Sequence, residues 1–175
     1  GSPQCTDRTV AFEQQFGTLC STPTKTGYRL AGWDTGQNGT GTKIQSNTIH
    51  SDYNDVKHYA KWDPNQYSVV YNCNGGNGST AVSTHTYDIS SPLTSNGCSR
   101  TGYHFTGWTR TADGTGTVYG NAAAVKNLSS THNSTVTLYA QWERNSYTVK
   151  PNEKATEYDV KVVDRICPAY KGIRY

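Results

Sequence analysis

The side chains that could do chemistry in this chain are five cysteines and five histidines, and their spacing limits what that chemistry can be. Cys5, Cys20, Cys73, Cys98 and Cys167 include no Cys-x-x-Cys pair, and none stands at zinc-ligand spacing from a histidine. In a small, polar chain rich in Tyr and Thr, such cysteines suit disulfides and an oxidising compartment better than thiol catalysis. His50, His58, His85, His104 and His132 are spread singly, with no helical or strand interval that would gather two on a metal. The segment Asp34-Thr35-Gly36-Gln37-Asn38-Gly39 puts oxygen donors at alternate positions, but it lacks the second acid and the closing Glu of a calcium loop. It reads as a turn. There is no Gly-x-Ser-x-Gly elbow and no Cys/His nucleophile signature. No catalytic residue, cofactor or metal is expected, and the chain is not expected to be an enzyme.

The composition points the same way. The chain has 175 residues, only 33% of them apolar, yet 13 are Tyr and 4 are Trp. Thr, Tyr, Trp and Val suit a pleated, half-buried surface, so a mostly β fold is expected. A net charge of +3 from scattered Lys and Arg forms no basic stripe, which argues against nucleic acid as a partner. No apolar run approaches the length of a membrane span. With no Met present, the sequence is expected to begin downstream of an initiator, with Gly1-Ser2 as a cloning scar.

The elements that must position these residues come twice. Thr26-Gly27-Tyr28, Gly32-Trp33 and Gly39-Thr40-Gly41-Thr42 recur as Thr101-Gly102-Tyr103, Gly107-Trp108 and Gly114-Thr115-Gly116-Thr117, 75 residues on. The offset then grows by five residues: His58-Tyr59-Ala60-Lys61-Trp62 answers Leu138-Tyr139-Ala140-Gln141-Trp142. One unit was duplicated and one loop lengthened. The expected domains are 1–62, a first repeat shortened at its N-terminal hairpin; 63–142, a second repeat; and 143–175, a tail that opens like a third copy. In the second repeat, strands are expected at Tyr67–Cys73, Ala81–Tyr87, Tyr103–Trp108, Thr117–Tyr119 and Thr135–Trp142. Asp113-Gly114 is read as a type I′ hairpin turn, and Asn121–Leu128 as the segment with helical propensity. Glu157–Asp164 alternates as a tail strand should and is expected to dock on the second unit.

The ordered set Tyr67, Val69, Tyr71, Gly75-Gly76, Thr101-Gly-Tyr-His-Phe-Thr-Gly-Trp108 and Val136-Thr-Leu-Tyr-Ala-Gln-Trp142 resembles the Listeria–Bacteroides repeat of internalin-type bacterial surface proteins. The first copy supplies Pro23-Thr-Lys-Thr-Gly-Tyr-Arg-Leu-Ala-Gly-Trp33 and His58-Tyr-Ala-Lys-Trp62. The resemblance implies an α+β, mostly β fold: tandem β-grasp-like repeats with short helix or loop crossings. It also implies a stalk or adhesive segment on a cell surface, with no catalytic residues to carry over. Cys73, Cys98 and the tail depart from the family pattern.

Trp33, Trp62, Trp108 and Trp142, with Tyr28 and Tyr103, recur in both copies, as core residues must and ligand-stacking residues need not. They are expected to close the cores. Tyr53, Tyr119, Tyr170 and Tyr175 lie outside the repeated pattern and suit contact with a partner. Cys73 ends the first strand of the second copy and Cys98 precedes its third, so the two are expected to pair. By analogy Cys5 should pair with Cys20, which leaves Cys167 as a free thiol or an intermolecular link. The functional expectation is an extracellular structural or adhesive module whose partners are neighbouring repeats and a surface protein or glycan. The alternative is a specific ligand-binding module that uses the Ser90–Arg100 and Gly120–Ser134 loops.

Overall fold

The computed structural model describes residues 5–21 and 23–148. The first repeat contains β1 (Tyr28–Asp34), β2 (Lys43–Ile44) and β3 (Tyr59–Pro64), in the sheet order β2-β1-β3. The second contains β4 (Gln66–Asn72), β5 (Asn77–Gly78), β6 (Ser83–Thr86), β7 (Ser91–Pro92), β8 (Cys98–Ser99), β9 (Tyr103–Thr109), β10 (Ala124–Val125) and β11 (Ser134–Arg144). Its main sheet has the order β6-β4-β11-β9. The central pair β4 and β11 is parallel and both outer pairs are antiparallel.

That sheet forms because its strands alternate. Tyr67 and Val69 on β4, and Val136, Leu138 and Ala140 on β11, point to one face and are buried. The crossing segments lay Leu93, Val125 and Leu128 over that face, and Trp108 completes the cluster. On β6 it is Ser83 and His85 that turn inward, leaving Val82 60% exposed.

Strict alternation fails on β9. It would put Phe105 with Gly107, and Trp108 opposite. Instead a bulge occurs: Gln141 faces Gly107 and Trp142 faces Phe105, so Thr106 has no opposite number. The extra residue reverses the alternation. Phe105 and Trp108 therefore share a face, with ring centroids 4.9 Å apart. The first repeat has the same shift between Leu30 and Gly32. Gly107 fits because a Cβ there would lie 2.6 Å from Val118 and 2.9 Å from the Tyr119 carbonyl. Thr117–Tyr119 is reduced to one bridge, Trp108 to Tyr119, which matches the Trp33 to Ile44 pair in the first repeat.

No α-helix occurs among the described residues. Asn121–Leu128, expected to be helical, takes positive φ at Ala122 (53°) and Asn127 (58°), and pairs as β10 with β7. Three alanines cannot repay helix nucleation in so short a run when Val125 and Leu128 are pinned to the core. Of the two matching turns, Asn38-Gly39 and Asp113-Gly114, only the first is type I′, with Asn38 at φ 58° and Gly39 at φ 76°. In the second, only Gly114 is positive, and the Asp113 carboxylate accepts from Thr115 N and Oγ1 instead.

The first repeat is thinner. Ile44 is its buried apolar residue among those described, and Phe12, Ile49, Tyr53 and Val56 are 40%, 56%, 87% and 40% exposed. Residues 5–21 meet the sheet side through a Gln15–Ile49 bridge, not through a hairpin. β3 passes into β4 across the single residue Asn65. The tail strand Glu157–Asp164 and the residues Cys167, Tyr170 and Tyr175 lie outside the described residues.

Candidate functional site

Catalytic chemistry has one place to start. On β6, His85 Nε2 lies 2.9 Å from Ser83 Oγ, which in turn lies 2.8 Å from Tyr71 OH. A working base must be oriented by a third group and must be reachable. His85 is 1% exposed, stacks on Tyr67 at 5.6 Å, and has no partner on Nδ1. Burial pushes its pKa down. The pair fills a core.

The remaining titratable groups are dispersed. His104 faces Glu143 at 3.4 Å on the surface. His58 sits edge-on to Phe16, and its pKa is lowered by burial first and then by His50. Asp34 is 4% exposed beside a shallow cleft of ≈ 180 Å³ lined by Trp33, Lys43, Lys61 and Asp63. Among the described residues no three His, Cys, Asp or Glu side chains are grouped to hold a metal, and no helix is long and apolar enough to cross a membrane.

Of the expected core residues, Trp108 is fully buried, while Trp142 packs half-buried against the cluster and donates Nε1 to Cys73 O at 2.9 Å. Trp33 donates to Cys20 O at 2.9 Å, and both Trp33 and Trp62 are half-buried. Tyr28 and Tyr103 are half-buried, and Tyr103 is not part of the second repeat's buried cluster. Tyr119 is the reverse case. Expected on a partner-facing surface, it packs on the core through its bridge to Trp108. Tyr53 is exposed and stacks on Phe12 at 4.5 Å. Cys5 is bonded to Cys20 (S–S 2.00 Å) and Cys73 to Cys98 (2.02 Å).

The structure brings the two suspected ligand loops together. β7 and β10 pair, Leu93 N donates to Ala123 O at 2.9 Å, and Asn96 N donates to Asn121 Oδ1 at 2.8 Å. Leu93, Val125 and Leu128 are spent on the core, while Asn121 and Asn127 are exposed and Asn96 is half-buried, its amide bonded to the Cys98 backbone.

The densest polar constellation is the junction between the repeats. Tyr28 OH donates to Asp88 Oδ2 at 2.8 Å, and Asn127 Nδ2 donates to Oδ1 at 2.8 Å. Lys126 Nζ stands 3.6 Å from the same carboxylate. The Asn127 bond, then that from Tyr28, hold Asp88 below the usual carboxylate range, while the bond to Asp88 raises the Tyr28 pKa. Arg29 bridges Asp63 at 3.2 Å and reaches His132 at 3.3 Å. Asn65 is the hub: its N–H donates to Gly27 O, its carbonyl accepts from Tyr87 N, and its Nδ2 donates to Ser130 O, each at 2.8 Å. The Tyr28 and Tyr87 rings meet edge-on at 5.8 Å, and a Cβ on Gly27 would lie 2.2 Å from the Tyr87 ring. Asn65, Tyr87, Asp88 and Asn127 escape a pattern reading. One signal was present, since Asn65 recurs as Asn145.

A model of the Listeria-Bacteroides repeat domain matches residues 1–61 and again 67–141. A protein of Evansella cellulosilytica, provisionally named a Gly-rich membrane protein, is 29% identical over 158 residues. The match covers 85% of this chain and 17% of that relative, so the chain spans a small part of the relative's length. No solved structure matches.

Proposed function

From the premise that this chain belongs to the Listeria-Bacteroides repeat family, in two tandem copies, we propose that it is a structural repeat module of a bacterial surface protein, acting as a stalk or display segment. The observation that carries this reading is the junction. A spacer must transmit orientation from one unit to the next, and here the linker is one buried residue, Asn65 (7% exposed), bonded to both repeats. Two modules that bind independently have no need of such a joint; a stiff linker does.

The order β6-β4-β11-β9, with first and last strands parallel at the centre, supports a β-grasp reading in which a loop with β7 and β10 replaces the crossing helix. An extracellular or surface location is supported by the two disulfides and by the family. The burial of His85 beside Ser83 supports a non-enzymatic role.

Adhesion through the loop rim is the second reading, favoured by one observation: β7 and β10 unite the two segments that differ most between copies into one outward patch. Small-angle scattering on the wild type and on Asn65→Gly tests the spacer. The wild type should scatter as one stiff particle, and the variant as two jointed ones. Equal flexibility in both would count against the spacer. Binding to a cell-surface glycan or protein that Asn96→Ala with Asn121→Ala abolishes would favour adhesion.

A further inference from the structure

One contact across the joint between the repeats is made by a ring that can make it in a single charge state. Ser134 N and Oγ close on Thr131 O at 3.4 and 2.8 Å, and Asn133 takes φ 57°. Residues 131–134 thus form a tight turn with His132 at its corner. Asn133 N donates to Gln66 O at 2.7 Å, which ties this turn to the first residue of β4. The turn belongs to the second repeat, and its His132 reaches Arg29 of the first.

Two neighbours fix the state of the ring. Gln66 N donates to Nδ1 at 3.3 Å, so Nδ1 bears a lone pair and the proton of the neutral ring sits on Nε2. Arg29 Nη1 lies 3.4 Å from Nδ1 and 3.3 Å from Nε2. Being nearly equidistant, the guanidinium lies over the ring rather than along one lone pair, and it is always charged. An imidazolium would set a donor against the Gln66 donor and a second cation against Arg29. The acids at the joint are engaged elsewhere. Asp63, on β3, is bound by Arg29 at 3.2 Å, and Asp88 is taken by Tyr28, Asn127 and Lys126. Gln66, Thr131 and Asn133, which flank the ring, are uncharged, and His132 itself is exposed to solvent protons.

The same segment carries the hub of the joint. Asn65 Nδ2 donates to Ser130 O at 2.8 Å, two residues before His132, so a turn that lets go disturbs the residue that links the repeats. We propose that His132 is an acid-operated release for this joint. Neutral, it clasps Arg29 and Gln66 and keeps the repeats aligned; protonated, it repels Arg29 and the repeats loosen. The idea rests on the reading of the chain as a stiff spacer and makes that stiffness depend on pH. Histidine changes charge between about pH 8 and pH 5, so the joint is held at the upper end and loosened at the lower.

Nitrogen-15 relaxation of the full chain at about pH 8 and about pH 5 tests the release. The wild type should need one rotational diffusion tensor at the higher pH and two at the lower. The order parameter of Asn65 should fall from about 0.85 to below about 0.6. His132→Asn should stay stiff at the lower pH, because its Oδ1 can accept from Gln66 N and gains no charge. His85→Phe, changed in the core of the second repeat, should loosen as the wild type does. A wild type equally stiff at both pH values would overturn the release and leave the spacer standing. Two tensors already at the higher pH would sink the spacer, and the release with it. Loosening on acidification that persists in His132→Asn, or that disappears in His85→Phe, would also overturn the proposal.

Discussion

Tyr28 and Tyr103 hold the same place in two copies of one repeat, yet their hydroxyls do opposite things. Tyr28 donates to Asp88 Oδ2 at 2.8 Å, whereas Tyr103 accepts from Arg144 Nε at 3.0 Å. The carboxylate favours the neutral phenol and the guanidinium favours the phenolate. The duplicated scaffold thus kept the ring and exchanged the sign of its neighbour.

Their titrations should diverge accordingly. Tyr103, lowered chiefly by the Arg144 bond, should ionise before an ordinary tyrosine, and Tyr28, raised chiefly by Asp88, after one. Since the folded pKa of Tyr28 lies above its unfolded value, the bond's contribution is complete below about pH 10 and is lost as pH rises through the raised pKa. Ultraviolet titration of Tyr28→Phe and Tyr103→Phe assigns the steps. Shifts in the same direction would contradict the two hydrogen bonds.

Gly27 and Gly102 allow a matched comparison, because both have φ 78° and would carry the same left-handed strain as alanine. Gly102→Ala should cost about 1 kcal/mol from backbone strain alone. Gly27→Ala should cost about 2–4 kcal/mol, because its Cβ also meets the Tyr87 ring. Urea melts measure the difference, and equal costs would mean the repeats do not press together there.

The Cys73–Cys98 bond closes a 25-residue separation inside the second repeat. In the chain-entropy account such a loop is worth about 3 kcal/mol. Cys73→Ser with Cys98→Ser should lower the thermal midpoint of the second unit well below that of the parent. Free thiols at both positions by mass spectrometry would remove the basis of the prediction.

His85 gives the second repeat an acid weakness. Its folded pKa is lowered by burial, so stability is complete above about pH 6.5 and falls as the pH drops from there toward the folded pKa, where the unfolded chain alone takes the proton. His85→Phe, which keeps the stack on Tyr67, should flatten stability between pH 7 and about pH 5. An unchanged acid slope in the variant would place the sensitivity elsewhere.

The copies and their strands were legible because a duplicated Tyr, Val and Trp pattern records which side chains face the core. The bulge was not, since alternation runs through Thr106-Gly107 without a break and only the β11 pairing shows the extra residue. The Ala-rich segment misled because propensity is local, whereas Val125 and Leu128 answer to a sheet assembled from distant strands. The junction was hidden for the same reason. Asp88 stands 60 residues from Tyr28, and its position depends on where β6 ends.

Nitrogen-15 relaxation across the described chain tests the central claim, that the two repeats move as one stiff element, most directly. The account predicts one rotational diffusion tensor for both repeats, with Asn65 as rigid as the strands beside it, at an order parameter of about 0.85. Two separate tensors, with Asn65 below about 0.6, would contradict it.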